Sequence, residues 1–303
     1  MSNANIITLA PPGTPEWLAA HKGKIGGSTV ASILGIGRST PLRVYAELTG
    51  KVQVEDISNQ PRIRRGVRLE PVVRELYQDE TGRTVLPSPG LVQHPKFDWL
   101  AGTPDGLVDL SGVLCPWEAK TDSFYSVKKW TPPPLQYQVQ VQFYMVLLGV
   151  EMASLAAMPI DEDEDQPAVI HQDIVLDPIF CDYMMDRLVT FRDKHWLADI
   201  PPEPDFTKDR DTIRGMFPHA VPGTMVEMSD EAVQRWAHKE QLASEKTAIE
   251  KELKAETAWL EAFMGTAEWA MGPGYRLKFA DEFTKGYTVE PKTKRQIRKV
   301  KAT

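Results

Sequence analysis

The stretch GTPDGLVDLSGVLCPWEAK, residues 102–120, decides how the rest of the chain is read. Two apolar runs flank Ser111-Gly112, a two-residue turn signal, so the stretch predicts a β-hairpin. If Leu110 faces Val113 across the turn, each step outward pairs residues whose numbers sum to 223, and Asp105 comes to lie opposite Glu118. Side chains alternate along a strand, so Lys120 shares the face of Glu118. Two carboxylates and an ammonium then converge on one patch. Facing carboxylates repel, and a bound cation is a physical reason to place them together. Without such a cation, Thr-Pro-Asp-Gly is simply a good turn and Glu-x-Lys a common surface pattern.

The totals bound the alternatives. A chain of 303 residues holds one large domain with an appendage, or two domains. The formal net charge of −7 argues against a uniformly basic coat, but it is compatible with a local basic groove or a ring with a basic bore. Two cysteines, Cys115 and Cys181, are too few for a disulfide framework or a cysteine-based zinc site, which points to a reducing, cytoplasmic setting. The first residues lack the charged and apolar regions of a signal peptide. No apolar run is long enough to span a membrane.

Residues 14–34 read as two short helices around a glycine turn, with Ser28 as the cap of the second. Gly26-Gly27-Ser28 at a helix start fits an ordinary connection, and it also fits a phosphate. A helix follows over residues 41–49, and another over 61–83. The latter has an arginine-rich start (Arg62, Arg64, Arg65, Arg68) and a core stripe of Leu69, Val72, Val73 and Leu76. Glu70 lies beside that stripe, and Pro71 is expected to disturb the helix there. Residues 84–93 predict one strand interrupted by two prolines. The segment LQYQVQVQFYMVLL, 135–148, fits a helix carrying Tyr137, Gln140 and Tyr144 on one side, and its alternating start also fits a strand. Strands over 153–159 and 169–176 flank an acidic loop, 161–165, and an amphipathic helix covers 177–198.

Three regions follow from this pass: a domain over 1–210, a linker over 211–227, and a long charged helix with a basic tail over 228–303. Ser229 caps the long helix, which ends near Gly265. Its apolar seam suits a coiled-coil arm or a helix packed on the main domain. The fold class expected is α/β: a mixed central sheet flanked by helices, plus a C-terminal helical arm.

Asp105, Glu118 and the Ala119 carbonyl are the oxygen donors that hard divalent cations prefer. Lys120 is placed to orient an attacking water or to balance charge on a phosphate, and Glu70 to complete a second cation position. Paired ions roughly 3.5–4 Å apart support phosphodiester hydrolysis.

Four pieces in order, WLAAHKGKIGGSTVASILG, RRGVRLEPVVRELYQDETG, HPKFDWLAGTPDGLVDLSGVLCPWEAK and YQVQVQFYMVLLG, resemble the YqaJ-type phage recombinase nucleases. This is the family of phage lambda exonuclease, within the PD-(D/E)xK superfamily. The resemblance implies a restriction-endonuclease-like core that binds Mg²⁺ (or Mn²⁺), as two ions, through Asp105, Glu118, Ala119 and Glu70, with Lys120 serving the attacking water. It implies DNA contacts by Ser28, Thr103, Tyr137 and Gln140. It further implies exonucleolytic degradation of double-stranded DNA ends, 5′ to 3′, leaving a 3′ strand for a single-strand annealing protein. A ring-shaped homotrimer and, for a phage-encoded chain, the host cytoplasm are implied as well. His21 stands where the family has an arginine; it cannot make arginine's two-pronged phosphate contact, and Lys22 and Lys24 are nearby substitutes. Other classes are an endonuclease, a Cas4-like end-processing enzyme (for which two cysteines are too few to hold a four-cysteine cluster), and a non-catalytic DNA-binding protein on the same fold.

Overall fold

A computed structural model describes residues 5–7, 14–54, 59–127, 129–160 and 169–278. It divides into two units, Met1–Pro218 and His219–Thr303. The acidic run 161–165 and the basic tail lie outside the described residues.

The first unit begins with β1 (Asn5–Ile7), α1 (Pro15–His21), α2 (Gly27–Ile33), α3 (Pro41–Leu48) and α4 (Pro61–Thr81). Then come β2 (Val85–Pro87), β3 (Leu91–Gln93), β4 (Ala101–Gly102), β5 (Gly106–Leu110) and β6 (Val113–Asp122). After α5 (Phe124–Val127) and α6 (Leu135–Leu148) run β7 (Met152–Pro159), β8 (Ile170–Val175), α7 (Pro178–Phe191), a π-helical segment (Arg192–Leu197) and α8 (Arg210–Met216). The main sheet has the order β2-β5-β6-β7-β8. In this sheet β6 and β7 pair in parallel; the excursion through α5 and α6 gives the chain the length to return in that direction. The mixed sheet flanked by helices is the fold class expected.

The hairpin forms in the expected register, Leu110↔Val113 through Gly106↔Trp117. Ser111 and Gly112 both have positive φ (59° and 83°), the twist that suits a two-residue hairpin turn. Gly112 N–H also donates to Asp109 Oδ1 at 2.7 Å.

Helices cover both faces of the sheet. Val73 and Tyr77 of α4 pack with Val108, Cys115, Trp117 and Ala156. Val141 and Met145 of α6 pack with Leu155 and Ala157. The opposite side of α6, with Val139, Phe143, Tyr144 and Leu147, joins α2, α3 and α7 in the largest cluster. A helix buried on two sides carries no amphipathic stripe, which explains why 135–148 also fits a strand.

Four local expectations are corrected. Residues 84–93 form two strands in different sheets, since β2 joins the main sheet and β3 pairs with β1 and β4. Gly26, not Ser28, is the N-cap of α2; Ser28 lies inside its first turn. Helix α4 runs through Pro71 without a break. Pro71 has no N–H, so the Val67 carbonyl has no helical donor at that turn, but Val67 is two-thirds exposed and water can serve it. The helix expected over 177–198 is α-helical to Phe191 and π-helical over Arg192–Leu197.

The second unit holds α9 (Asp230–Met264), capped by the Ser229 side chain, and the antiparallel hairpin of β9 (Trp269–Gly272) and β10 (Tyr275–Lys278). Within its own unit α9 buries no side chain. Among the described residues no helix is long and apolar enough to cross a membrane.

Tyr144 fits into the main domain only because two neighbours lack side chains. A Cβ on Gly102 would lie 2.5 Å from Tyr144 Cε1, and one on Gly27 would lie 2.8 Å from Gln140 Cγ and 3.1 Å from the Tyr144 ring. Overpacking a filled core costs about 1–3 kcal/mol. Gly102→Ala is therefore expected to lower unfolding free energy by that amount in denaturant titration, while Gly112→Ala at the exposed turn should leave the Tyr144 packing intact.

Candidate active site

Strand β6 carries Glu118 into the interior, where its residue exposure is 2 %. One oxygen, Oε1, accepts from Lys120 Nζ and, at 2.6 Å, from Gln140 Nε2. The other, Oε2, is buried without a hydrogen-bond partner among the described residues. Asp105 precedes β5 directly across the hairpin, and its Oδ2 accepts from the Ala119 N–H at 2.9 Å. The register thus brings Asp105, Glu118 and Lys120 together.

Helix α6 supplies the second wall. Gln140 Nε2 also donates to the Tyr144 hydroxyl at 3.0 Å, and that hydroxyl donates to the Thr103 carbonyl at 3.3 Å. Tyr137 places its ring 5.1 Å from Lys120 Nζ, a cation–π distance, and rests on Trp130 at 5.2 Å. Arg38 Nη2 donates to the Tyr137 hydroxyl at 3.2 Å. Helix α4 supplies the third wall. Glu70 is engaged by Arg74 Nη2 at 3.3 Å, and the same nitrogen donates to the Asp105 carbonyl at 3.0 Å.

A cleft of about 980 Å³ joins these walls; it takes in Ser28, Arg38, Arg62, Arg65, Glu70 and the Glu118–Lys120 floor. Tyr137, Gln140 and Asp105 line it as well. His21 and Thr103 pair with each other, His21 Nε2 lying 3.3 Å from Thr103 Oγ1. His21 Nδ1 lies 2.8 Å from the Trp17 carbonyl, so both ring nitrogens are engaged within the protein. Lys24 is likewise engaged, donating to the Asp98 carbonyl.

Electrostatics follow from this packing. Burial, reinforced by the Asp105 charge, pushes the Glu118 carboxyl up to about 8. Burial also raises Asp105, while Lys120, the Ala119 N–H and Arg74 pull it back. Glu70 is raised by burial and then by Asp105. Burial works against the Lys120 charge, but Glu118 and Asp105 outweigh it and hold the ammonium above its usual range.

These residues fit a divalent cation. A buried carboxylate oxygen without a donor carries an uncompensated desolvation cost. Glu118 Oε2 is such an atom, and hard cations take carboxylate oxygens. Among the described residues no three His, Cys, Asp or Glu side chains form a ready-made ligand cluster. Glu70 is held by Arg74.

The site residues missing from the sequence reading are Arg74 and Arg38. Arg74 lies one helical turn after Glu70, and that spacing was its available signal. Nothing local in the sequence pairs Arg38 with Tyr137, 99 positions away.

The fold is a mixed α/β sheet flanked by helices, and its cleft has an acidic floor and arginines on its walls. Residues 16–151 match the YqaJ-like viral recombinase domain. Over 139 residues it is 32% identical to the uncharacterized protein YqaJ of Bacillus subtilis (strain 168), a match spanning 45% of this chain and 43% of that protein. The chain thus matches under half the length of this curated relative. Among solved structures, the alkaline exonuclease LHK-Exo from Laribacter hongkongensis superposes with a TM-score of 0.52 at 23% identity, covering 66% of this chain and 99% of that one. LHK-Exo in complex with dAMP gives the same TM-score and coverage at 24% identity. At these identities the likeness is one of fold.

The raised Glu118 carboxyl has a consequence for stability. Its ordinary value is 4.5, so the folded chain holds this proton more tightly than the unfolded chain does. Its contribution is fully present below about pH 4.5 and is lost as pH rises through about 8. In chelator, the melting temperature should fall over that window, and Glu118→Gln should flatten the fall. Mg²⁺ should raise the melting temperature more at about pH 8 than at about pH 6, because it binds the deprotonated carboxylate. Equal slopes for wild type and E118Q would refute the assignment.

Proposed function

We propose that this protein is a Mg²⁺-dependent deoxyribonuclease of the PD-(D/E)xK type that degrades double-stranded DNA from its ends. The observation that carries the reading is the buried, unpartnered Glu118 Oε2, set beside Asp105 and Lys120 on the floor of an open cleft. The YqaJ-like domain match supports it, as does a fold shared with a protein described as an alkaline exonuclease.

Asp105, Glu118 and the Ala119 carbonyl would hold the cation, with Glu70 bordering a second position. Bound there, Mg²⁺ or Mn²⁺ supplies Lewis-acid stabilisation of charge on the scissile phosphate. Lys120 is charged and held between Glu118 and the Tyr137 ring, so its Nζ is positioned to orient water or to offset phosphate charge. Gln140 fixes the Glu118 carboxylate through Oε1. Arg38, Arg62 and Arg65 on the cleft wall suit the phosphates of a DNA strand, and Ser28 offers a hydroxyl beside them. Polarity from 5′ to 3′, a 3′ single strand passed to an annealing protein, and a homotrimer are parts of the proposal that rest on the family resemblance. His21 and Lys24 are both committed to intramolecular contacts, which favours a relaxed requirement for a 5′-phosphate.

The test is digestion of linear duplex DNA, with and without a 5′-phosphate, beside closed circles, in Mg²⁺ or chelator. Loss of linear DNA alone, requiring Mg²⁺ and reduced by at least ~10²-fold in Lys120→Ala, is the expected outcome. Cleavage of closed circles would indicate an endonuclease, and Mg²⁺-dependent activity that survives Asp105→Ala would overturn the site.

A further inference from the structure

We propose that Arg74 is the positioning residue of this cleft: its guanidinium fixes the Asp105 backbone and draws Glu70 aside, keeping the Asp105 and Glu118 oxygens converged for a divalent cation. Three contacts carry the inference. Arg74 Nη2 donates to the Asp105 carbonyl at 3.0 Å, anchoring the turn from which that side chain projects. The same group reaches Glu70 Oε1 at 3.3 Å, one helical turn back on α4. The Arg74 guanidinium carbon lies 5.7 Å from the centre of the Trp117 ring.

That ring is a rigid brace. Trp117 is fully buried, immediately precedes Glu118, and pairs with Gly106 across the hairpin. A Cβ on Gly106 would lie 3.4 Å from Trp117 Cε3, an ordinary van der Waals distance, so the ring lies beside the Gly106 backbone. Arg74 is thereby seated on the residue before one carboxylate and bonded to the backbone of the other.

The charge pattern points the same way. Glu70, Asp105 and Glu118 face Lys120 and Arg74. Without Arg74, three carboxylates are left with Lys120, and the Asp105 carbonyl loses this donor. Among the described residues Arg74 Nε has no hydrogen-bond partner, so its anchoring contacts run through Nη2. The planar fork matters as well as the charge, because lysine presents one point charge and cannot copy the guanidinium fork whose Nη2 serves both Glu70 and the Asp105 carbonyl.

The activity readout rests on the nuclease reading; the binding readout does not. Mg²⁺ and Mn²⁺ binding to the full-length, DNA-free chain would be measured by titration calorimetry for wild type, Arg74→Met and Arg74→Lys. Linear-duplex kinetics and melting curves would be run alongside. Loss of an orienting partner costs ~10–100-fold in metal affinity or activity. R74M should weaken cation binding and lower kcat within that range, with the KM for duplex ends held within about twofold, and R74K should recover part of both. Wild-type cation affinity in a folded R74M overturns the proposal, as does a change confined to KM. If R74M fails to fold, R74K decides: weakened binding supports the role and unchanged binding overturns it. Wild-type protein that binds the cations but leaves DNA intact defeats the nuclease reading, while the binding comparison still decides Arg74. A wild-type chain that binds neither cation overturns both.

Discussion

Glu118 is buried beside a second carboxylate, and the surrounding architecture compensates for that choice. An isolated ionised carboxylate is costly to remove from water. Here Lys120 comes two residues later on the same face, Gln140 arrives from α6, and Asp105 is steadied by the Ala119 N–H and, through its backbone, by Arg74. Each partner is delivered by a different mechanism: strand alternation, helix packing, hairpin register and a helical turn. Even so, one oxygen is left over, and it is the atom that gives the cluster its chemical meaning.

Much of this was legible because strand geometry is strict. The Ser111-Gly112 turn defines a register that predicts Asp105 against Glu118, and alternation puts Lys120 on the Glu118 face; the observed pairs follow that register as far as Gly106↔Trp117, and Asp105 then bonds the Ala119 N–H. Other features depend on contacts far apart in sequence. The two strands within 84–93 look like one interrupted strand, because their assignment to separate sheets is made by partners at 106–108 and at 5–7 and 101–102. Pro71 reads as a breaker, yet the helix continues where the orphaned carbonyl faces solvent. Arg74 reads as an ordinary helix-surface arginine until the hairpin is placed beside it. The apolar helix α6 is ambiguous in sequence because it is buried on two sides, and burial erases the pattern that would mark it.

The basic rim and acidic floor make a net charge of −7 compatible with the nucleic-acid substrate proposed above. Arg38, Arg62 and Arg65 lie on the walls of the cleft and the carboxylates below them. A local field of this kind depends on where charges stand rather than on their sum.

The glycine slot around Tyr144 bears on how the cleft can deform. Gly27 and Gly102 leave room for one ring and no more, so a sliding α6 meets main chain at once. Gln140 rides on the same helix one turn earlier, and its height above β6 is therefore indexed by hard-core contact as well as by its hydrogen bonds. The α4 wall is built differently, with a missing helical bond at Pro71 and an exposed Val67 at the same turn. The two walls of the cleft thus differ in construction: α6 is set by close packing against glycine backbone, while α4 lacks one helical hydrogen bond at Pro71.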